Sequence, residues 1–282
     1  MRIARYRYQG LDAIGLIRED GIVPAAAVDG LASTAMRDLI RGELPKPEAL
    51  ASAVTVIPLP EVEFLLPAVP EKILCAGVNF PTHRVETGRM PDRTEHPTIF
   101  TRFVDSFVPH EAPLQKPSTS DQYDYECELA IVIGRTAHGV PVEDALDHVF
   151  GYSCLNDGTV RDWQTLTAQW IPGKNWYRSG AIGPWIVTAD EFGAPAQQVI
   201  QTRVNGEVRQ SARLEEMIHS VAELVSYCSA FTPLHPGDII AGGTTGGVGK
   251  YMNPPGYLVV GDVVEVEIEG IGILRNTVRQ GP

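Results

Sequence analysis

Residues 123–134 read YDYECELAIVIG, and this stretch predicts a buried β-strand beside a pair of carboxylates. Aromatic and β-branched residues are typical of strands, and Gly134 ends the run. Because side chains alternate along a strand, Glu126 and Glu128 are predicted to point the same way. Two carboxylates at the edge of a core repel each other and lose hydration unless a cation neutralises them. Mg²⁺, Mn²⁺ or Ca²⁺ would suit such an oxygen-rich site, but a strand with one hydrated face explains the same pattern.

The composition is that of a globular protein with an excess of acidic residues. The chain has 282 residues, long enough for one large domain or for one domain beside a smaller one. Hydrophobic residues make up 44% and charged residues 21%, which argues against disorder. The formal net charge of -12 argues against general binding of nucleic acid or of anionic membranes. An acidic substrate stays compatible with this charge, because a local cation can reverse the sign inside a pocket.

The cysteines and the N-terminus indicate the compartment. Cys75, Cys127, Cys154 and Cys228 are widely spaced and include no C-x-x-C pair, so they predict neither a disulfide framework nor a zinc ribbon. The N-terminus lacks the apolar core of a signal peptide, and no segment is apolar for long enough to span a membrane. We therefore expect a soluble, cytoplasmic protein.

Residues 1–66 predict a small β-rich N-terminal domain. Strand-like runs at 3–8 and 13–18 are separated by turn residues, and short helices are expected between residues 39 and 50. Prolines then become frequent, which is typical of a connection between domains. The second predicted domain, 67–282, carries the residues that point to chemistry.

A strand predicted at 72–78 leads into a short helix that carries His83 and Glu86. Pro81 is a helix start signal. Residues three apart share a helix face, so these two side chains can form a hydrogen bond. That is the geometry of a base with its orienting carboxylate, and it is also that of an ordinary surface pair. The polar segment 88–96 that follows is predicted to be a loop able to close over a site.

Three more positions are candidates for contacting a metal or a substrate. Asp157 follows a predicted strand at 150–155, although Asn-Asp-Gly is also an ordinary turn sequence. Lys174 lies between glycine and aromatic residues, which suits an anionic substrate as well as a surface loop. The glycine-rich loop 242–249 fits neither a P-loop nor a dinucleotide fingerprint, but exposed N–H groups beside Thr244 can hold a carboxylate.

Other patterns predict structure and not chemistry. An Asn-Gly pair at 205–206 predicts a two-residue hairpin turn. A capping box at Ser220 begins a predicted helix whose apolar positions, Phe231 included, are expected in the core. Residues 261–270 alternate strictly, so their three glutamates are expected on the hydrated face of a strand and not as ligands.

Taken in order, these motifs resemble the fumarylacetoacetate hydrolase superfamily from about residue 70 to the end. The short N-terminal part resembles the variable domain that many members carry. The ordered motifs are GVNF at 77–80 with His83-x-x-Glu86, DYECELAIVIG at 124–134, GY at 151–152 with ND at 156–157, RDWQ at 161–164, GKN at 173–175, GPW at 183–185, the loop at 242–249 and GIGILRNTV at 270–278. Several motifs in one order are far more specific than any of them alone.

The resemblance implies a mainly β, mixed α+β fold, a β-sandwich roll, and a homodimer. It implies one divalent ion, Mg²⁺ or Mn²⁺, in a site that Ca²⁺ could occupy. By motif match it assigns Glu126, Glu128 and Asp157 as metal ligands, His83 and Glu86 as a water-activating pair, Lys174 as the site lysine, Thr244 as a contact to the substrate carboxylate, and Arg161 and Gln164 as substrate-binding residues. Two features concern substrate preference: Thr245 stands where many members have proline, and basic Arg89 and Arg93 in the loop would suit a second anionic group.

The implied activity is hydrolysis of a C–C bond in a 2,4-dioxo acid of the acylpyruvate, fumarylpyruvate or diketo sugar acid type. The products are pyruvate or a related 2-oxo acid and a carboxylic acid. His83, oriented by Glu86, would take a proton from water, and Lys174 would stabilise the developing oxyanion. The same kind of site also supports decarboxylation of oxaloacetate-like acids, hydration and enol–keto isomerisation. The presence of both His83 and Glu86 favours hydrolysis, and a non-catalytic metal- or ligand-binding module is the remaining alternative.

Overall fold

Strands dominate the protein in the computed structural model, which describes residues 1–29, 35–42 and 44–282. In chain order the strands are β1 (Arg2–Tyr8), β2 (Leu11–Arg18), β3 (Gly21–Pro24), β4 (Glu63–Phe64), β5 (Ile73–Gly77), β6 (Thr98–Thr101), β7 (Phe107–Val108), β8 (Leu114–Lys116), β9 (Tyr123–Asp124), β10 (Cys127–Ile133), β11 (Val149–Asn156), β12 (Thr159–Val160), β13 (Gly180–Thr188), β14 (Val199–Val204), β15 (Glu207–Arg213), β16 (Ile239–Ala241), β17 (Val263–Ile268) and β18 (Gly272–Gln280). The prediction of a mainly β, mixed α+β fold is confirmed.

The helices are short and lie between the strands. They are α1 (Met36–Arg41), α2 (Pro47–Ser52), α3 (Pro81–Glu86), α4 (Arg161–Gln164), α5 (Ile171–Lys174), α6 (Ala189–Phe192) and α7 (Val221–Phe231), with 3₁₀ turns such as Val142–His148. Helices α1 and α2 correspond to the short helices expected between residues 39 and 50. Residue 43, which is part of that range, lies outside the described residues. Within the described ranges, no helix is long and apolar enough to cross a bilayer.

The described strands form one large mixed sheet, a five-stranded sheet and a two-stranded pair. The large sheet has the order β3-β2-β1-β13-β11-β10-β16-β5-β6, with β4 on β1 and β7 on β13. The second has the order β15-β14-β17-β18-β8, and β9 pairs with β12. The predicted hairpin turn at 205–206 joins β14 to β15. Most neighbours are antiparallel, but β5 and β16 run parallel, which makes the large sheet mixed.

Strand β10 lies between two apolar cores, and all seven of its residues are buried. Leu129 and Ile131 pack into the core shared with the five-stranded sheet. Ala130 and Val132, on the other face, join a second core that includes Ile3 and residues of α1. A strand covered on both faces explains the continuous apolar run in the sequence. The alternation also sets which way the polar residues at its beginning must point.

The N-terminal strands continue the large sheet. Ile3 of β1 pairs with Ile186 of β13, and β2 and β3 extend the sheet outward from there. The boundary at residues 66/67 stays a prediction. Helix α7 begins with the predicted capping box between Ser220 and Glu223. The expectation that Phe231 lies in the core is wrong: its side chain is 56% exposed, because it is the last residue of α7, where the chain leaves the core.

Candidate metal centre and active site

Glu126 lies in a gap between two strands, and this gap is where the candidate site begins. The prediction of one continuous strand from 123 to 134 is wrong at Tyr125 and Glu126, because β9 pairs with β12 whereas β10 pairs with β11. In the gap, the Glu126 N–H donates to Asn156 Oδ1 at 3.1 Å. The Glu126 carbonyl accepts from the Asp157 N–H at 2.8 Å. The backbone therefore holds Glu126 directly beside Asp157.

Three buried carboxylates converge at this point. Ligand oxygens of Glu126, Glu128 and Asp157 all lie within 4.8 Å of one another. Their exposed fractions are 4%, 1% and 0%, so the alternative of a hydrated strand face is wrong. Burial, and then the neighbouring Asp157 and Glu126, raise the pKa of Glu128 well above its ordinary value. Three carboxylate oxygen donors this close together are what a hard divalent cation prefers, so the residues present fit such an ion.

Three buried cations contact the same carboxylates. Lys174 Nζ donates to Glu126 Oε2 at 2.7 Å and to Asp157 Oδ2 at 2.6 Å. Arg161 Nη1 lies 2.6 Å from Glu126 Oε1, and Arg102 Nη1 lies 2.5 Å from Asp157 Oδ1. Burial by itself would lower the pKa of Lys174, but Asp157 and Glu126 raise it above its usual value. Buried charges of both signs are therefore paired and hydrogen-bonded, which avoids the cost of isolated buried ions.

Sequence reasoning missed Arg102, because no motif surrounds it. It follows β6, and its guanidinium also donates to Gly158 O at 3.1 Å and to Ser179 Oγ at 3.0 Å. The pairing of β5 with β6 brings this residue under Asp157, and that pairing leaves no signal in the local sequence. The contacts assign Arg102 to holding the Asp157 carboxylate in place.

His83 and Glu86 form the predicted hydrogen bond on α3. His83 Nδ1 lies 2.6 Å from Glu86 Oε1, and Glu86 Oε2 accepts from the Gly247 N–H at 2.9 Å. With the carboxylate of Glu86 as the acceptor, Nδ1 donates, and the neutral form of the ring then has its lone pair on Nε2. This arrangement leaves one ring nitrogen of His83 able to act as a base. The role of the pair in catalysis stays a prediction.

The glycine-rich loop binds carboxylates of the protein itself. The Gly243 N–H donates to Glu128 Oε2 at 2.9 Å, and the Gly249 and Lys250 N–H groups donate to Asp124 at 2.8 and 3.0 Å. Of the N–H groups beside Thr244 that are predicted to hold a carboxylate, that of Gly243 holds one of the protein's own. The loop instead fixes the carboxylates around the site. Asp124, which the motif contains without an assigned role, is one of the groups that it binds.

A second residue that the sequence did not signal, Gln210 of β15, positions Thr244. Gln210 is buried and donates from Nε2 to Thr244 Oγ1 and to Thr245 O, both at 2.8 Å. Its Oε1 accepts from the Cys127 N–H at 3.0 Å and from Thr202 Oγ1 at 2.9 Å. All of these groups are buried, so one side chain links the five-stranded sheet to β10 and to the loop.

One cavity of about 100 Å³ opens onto these residues. It brings together seven of the nine predicted site residues: His83, Glu126, Glu128, Arg161, Gln164, Lys174 and Thr244. Asp157 does not line it and lies behind Glu126 and Lys174; Glu86 does not line it and lies behind His83. The remaining lining includes Arg89, Trp170, Lys250 and Tyr251.

Comparison with known proteins identifies the family. The family described as fumarylacetoacetate (FAA) hydrolase C-terminal matches residues 72–279, which is most of the chain. The chain belongs to the fumarylacetoacetate hydrolase family. Membership makes it an enzyme, and the buried Glu126, Glu128 and Asp157 of this family member fit metal-dependent chemistry.

Proteins that are similar to this chain are named for more than one enzymatic activity. The mitochondrial oxaloacetate tautomerase of Xenopus laevis is 36% identical over 274 residues, which is 94% of this chain and 85% of the relative. The solved fumarylacetoacetate hydrolase of Exiguobacterium antarcticum is 34% identical, covers 100% of both chains and superposes with a TM-score of 0.86. The fumarylpyruvate hydrolase of Pseudomonas aeruginosa, solved with Mn²⁺ and pyruvate, is 35% identical with a TM-score of 0.70 and covers 76% of this chain and 91% of that one.

Proposed function

We propose that the protein is a divalent-metal-dependent enzyme that interconverts the enol and keto forms of a small 2-oxo dicarboxylate of the oxaloacetate type. The observation that carries this proposal is that one cavity joins the hydrogen-bonded His83–Glu86 pair to the buried carboxylates of Glu126 and Glu128. Tautomerisation needs a cation to acidify the carbon beside a carbonyl group and one base to move the proton. The cavity joins His83, which can act as this base, to carboxylates that would hold the cation.

Glu126, Glu128 and Asp157 would hold Mg²⁺ or Mn²⁺, since both ions prefer carboxylate oxygen. When bound, the cation supplies Lewis-acid polarisation of the 2-oxo group of the substrate. In the keto-to-enol direction, Nε2 of His83 takes a proton from the carbon beside the 2-oxo group, and the oxygen gains a proton from solvent. In the other direction His83 returns the proton to carbon and the oxygen releases its own. The His83 imidazolium releases this proton to solvent in the first direction and takes it from solvent in the second, and Glu86 stabilises the imidazolium in both.

Two findings support a small dicarboxylate as the substrate. The cavity, at about 100 Å³, is small beside the several hundred Å³ of sites for drug-sized ligands, which favours a four-carbon acid. The relative from Xenopus laevis, which is aligned with 94% of this chain, is named an oxaloacetate tautomerase. The cationic side chains of Arg89 and Lys250 on the cavity wall are compatible with such an anionic substrate.

Hydrolysis of a 2,4-dioxo acid is the second candidate, and a specific observation favours it as well. His83, oriented by Glu86, is equipped to take a proton from water as readily as from carbon. The similarity to the Pseudomonas aeruginosa fumarylpyruvate hydrolase supports this reaction. Tautomerisation and hydrolysis would use the same residues, so the two reactions are distinguished by which substrate the protein converts.

An assay on two substrates separates the candidates. Enol oxaloacetate is mixed with the Mg²⁺- or Mn²⁺-loaded protein and the loss of enol absorbance is followed, while release of carbon dioxide is recorded in parallel. Acetopyruvate is tested for cleavage to pyruvate and acetate. Tautomerisation predicts accelerated loss of the oxaloacetate enol without carbon dioxide and no cleavage of acetopyruvate. Cleavage of acetopyruvate with no acceleration on oxaloacetate would replace the first candidate with the second.

Substitution of His83 tests the base. We expect His83→Ala to lower kcat by about 10²- to 10⁴-fold, the usual contribution of a general base, while Mn²⁺ affinity stays near that of the unmodified protein. Exposed His96, which does not line the cavity, provides the matched control His96→Ala. An unchanged kcat in His83→Ala would remove the dyad from the mechanism.

A further inference from the structure

Two basic side chains bring positive charge to the cavity. Lys250 and Arg89 both line it, and among the residues that the structure describes neither forms an ion pair through its side chain. Lys250 is half-buried, and its Nζ lies 5.5 Å from the ring centroid of Tyr251. Lys174, in contrast, is fully engaged by Glu126 and Asp157. The charge of Lys250 is therefore available to a ligand.

Arg161 supplies a second, independent sign of a missing anion. It is only 3% exposed, and its Nε and Nη1 are bound to Asp124 at 2.8 Å and to Glu126 at 2.6 Å. Its Nη2, also buried, has no hydrogen-bond partner in residues 1–29, 35–42 and 44–282. A buried guanidinium N–H without an acceptor is costly, and a ligand oxygen would satisfy it.

Lys250 and Arg161 are close enough to influence each other. Burial, and then the Arg161 guanidinium, lower the pKa of Lys250, while Asp124 acts in the opposite direction. The Lys250 N–H and the Arg161 Nε bind the same carboxylate oxygen, Oδ2 of Asp124. Asp124 therefore anchors the backbone of Lys250 beside the guanidinium of Arg161, and two cationic side chains that line one cavity can bind a carboxylate together.

We propose that Lys250 is the specificity-determining residue that selects substrates with a second carboxylate, which it binds together with Nη2 of Arg161. This inference rests on the proposed function, since it names the group that binds the far end of the dicarboxylate. Glu126, Glu128 and Asp157 serve the 2-oxo end, and Lys250 serves the other end. Arg89, exposed at the same cavity, adds to the attraction.

Two acids that differ only at the far end test the proposal. Oxaloacetate carries a carboxylate where 2-oxobutanoate carries a methyl group. Exchange of the C3 protons in D₂O with Mg²⁺, followed by NMR, gives kcat/KM for enolisation of each acid. In Lys250→Met, which keeps the length of the side chain and loses its charge, we expect the oxaloacetate to 2-oxobutanoate ratio to fall by about 10- to 100-fold. Lys250→Arg should restore most of the ratio, and the exposed Lys46→Met is the control that should leave it unchanged.

Each outcome decides the proposal. The proposal is overturned if Lys250→Met lowers kcat/KM equally for both acids, which leaves the ratio of oxaloacetate to 2-oxobutanoate unchanged. If Lys250→Met does not fold, the unmodified protein gives the answer, because an equal kcat/KM for the two acids leaves no preference for Lys250 to explain. Exchange on neither acid defeats the proposed function instead. Calorimetric binding of the two acids to the Mg²⁺-loaded protein and to Lys250→Arg then tests the recognition of the second carboxylate by itself.

Discussion

Two pairs of glutamates at the same strand spacing have different surroundings in this protein. Glu265 and Glu267 of β17 lie partly exposed beside Arg203 of the neighbouring strand, at 3.4 and 2.5 Å, in an ordinary surface network. Glu126 and Glu128 are buried and meet a third carboxylate. The residue type and the spacing are the same, so burial and the nearby third carboxylate distinguish the two pairs. A buried carboxylate without a cation is unfavourable, whereas a hydrated one is not.

Replacing Glu128 by glutamine separates these two environments. We expect Glu128→Gln to weaken Mn²⁺ binding by more than about 100-fold, because loss of a ligand exceeds the effect reported for groups that only orient ligands. Glu265→Gln is the matched control on a strand and should bind Mn²⁺ like the unmodified protein. Calorimetry or electron paramagnetic resonance measures both affinities. Equal Mn²⁺ affinity in the two variants would place the metal elsewhere.

At the scale of elements, the glycine-rich loop organises the site. Its backbone binds Glu128 through Gly243 and Glu86 through Gly247, so it connects the buried carboxylates to the His83–Glu86 pair. The sequence predicted a loop here and rejected a P-loop. It could not predict the partners of the N–H groups, because these lie on β10 and α3, far away in the chain.

Gly243, whose N–H binds Glu128, has no room for a side chain. Its φ is +92°, and an added Cβ would lie 2.6 Å from Asn79 Cβ and 2.9 Å from Ala76 O. Gly261 has a φ of +103° with open space around it, so Gly261→Ala tests the backbone strain alone, roughly 1–2 kcal/mol. We expect Gly243→Ala to cost about 1–3 kcal/mol more in the free energy of unfolding and to weaken Mn²⁺ binding as well. Equal losses of stability in the two variants in urea would contradict the close packing.

At the scale of the whole molecule, the N-terminal residues complete the large sheet. Ile3 and Ile14 pack in one core with Ile182 and Ile186 of β13. Side chains of this size each contribute about 1.5–3 kcal/mol when buried, which is a large share of the roughly 5–15 kcal/mol that stabilises a whole protein. The two predicted domains therefore share apolar surface as well as a sheet.

Removing residues 1–66 tests the predicted domain division. We expect the remaining chain, 67–282, to be insoluble or to unfold without cooperativity, because the truncation exposes the edge of β13 and its apolar side chains. Ile3→Ala in the full chain should lower the free energy of unfolding by about 2–5 kcal/mol for the same reason. A truncated protein with an unchanged melting temperature would establish 67–282 as an independent domain.

Removal of the metal should also lower the melting temperature of the protein. A cation that binds only the folded state at 100 times its Kd adds about 2.7 kcal/mol, which corresponds to a rise in Tm of about 5 °C for a chain of this size. We expect this rise when Mg²⁺ or Mn²⁺ is added to chelated protein, and no rise in Glu128→Gln. Calorimetric melting at fixed pH measures it. A rise of the same size in Glu128→Gln would show binding at another site.

The amino-acid sequence by itself determined the mainly β class, the strand that carries Glu128, the helix that pairs His83 with Glu86, and the family. These follow from local periodicity and from ordered motifs, which need no knowledge of distant contacts. Only the tertiary structure decided that Glu126 lies in a gap between strands, that Arg102 pairs with Asp157, and that the loop N–H groups are already bound. It also decided that Lys250 lines the cavity and that, within the part of the chain that the structure describes, its side chain forms no salt bridge. The physical reason is that burial and charge pairing depend on residues that are far apart in the chain and meet only when the sheets pack.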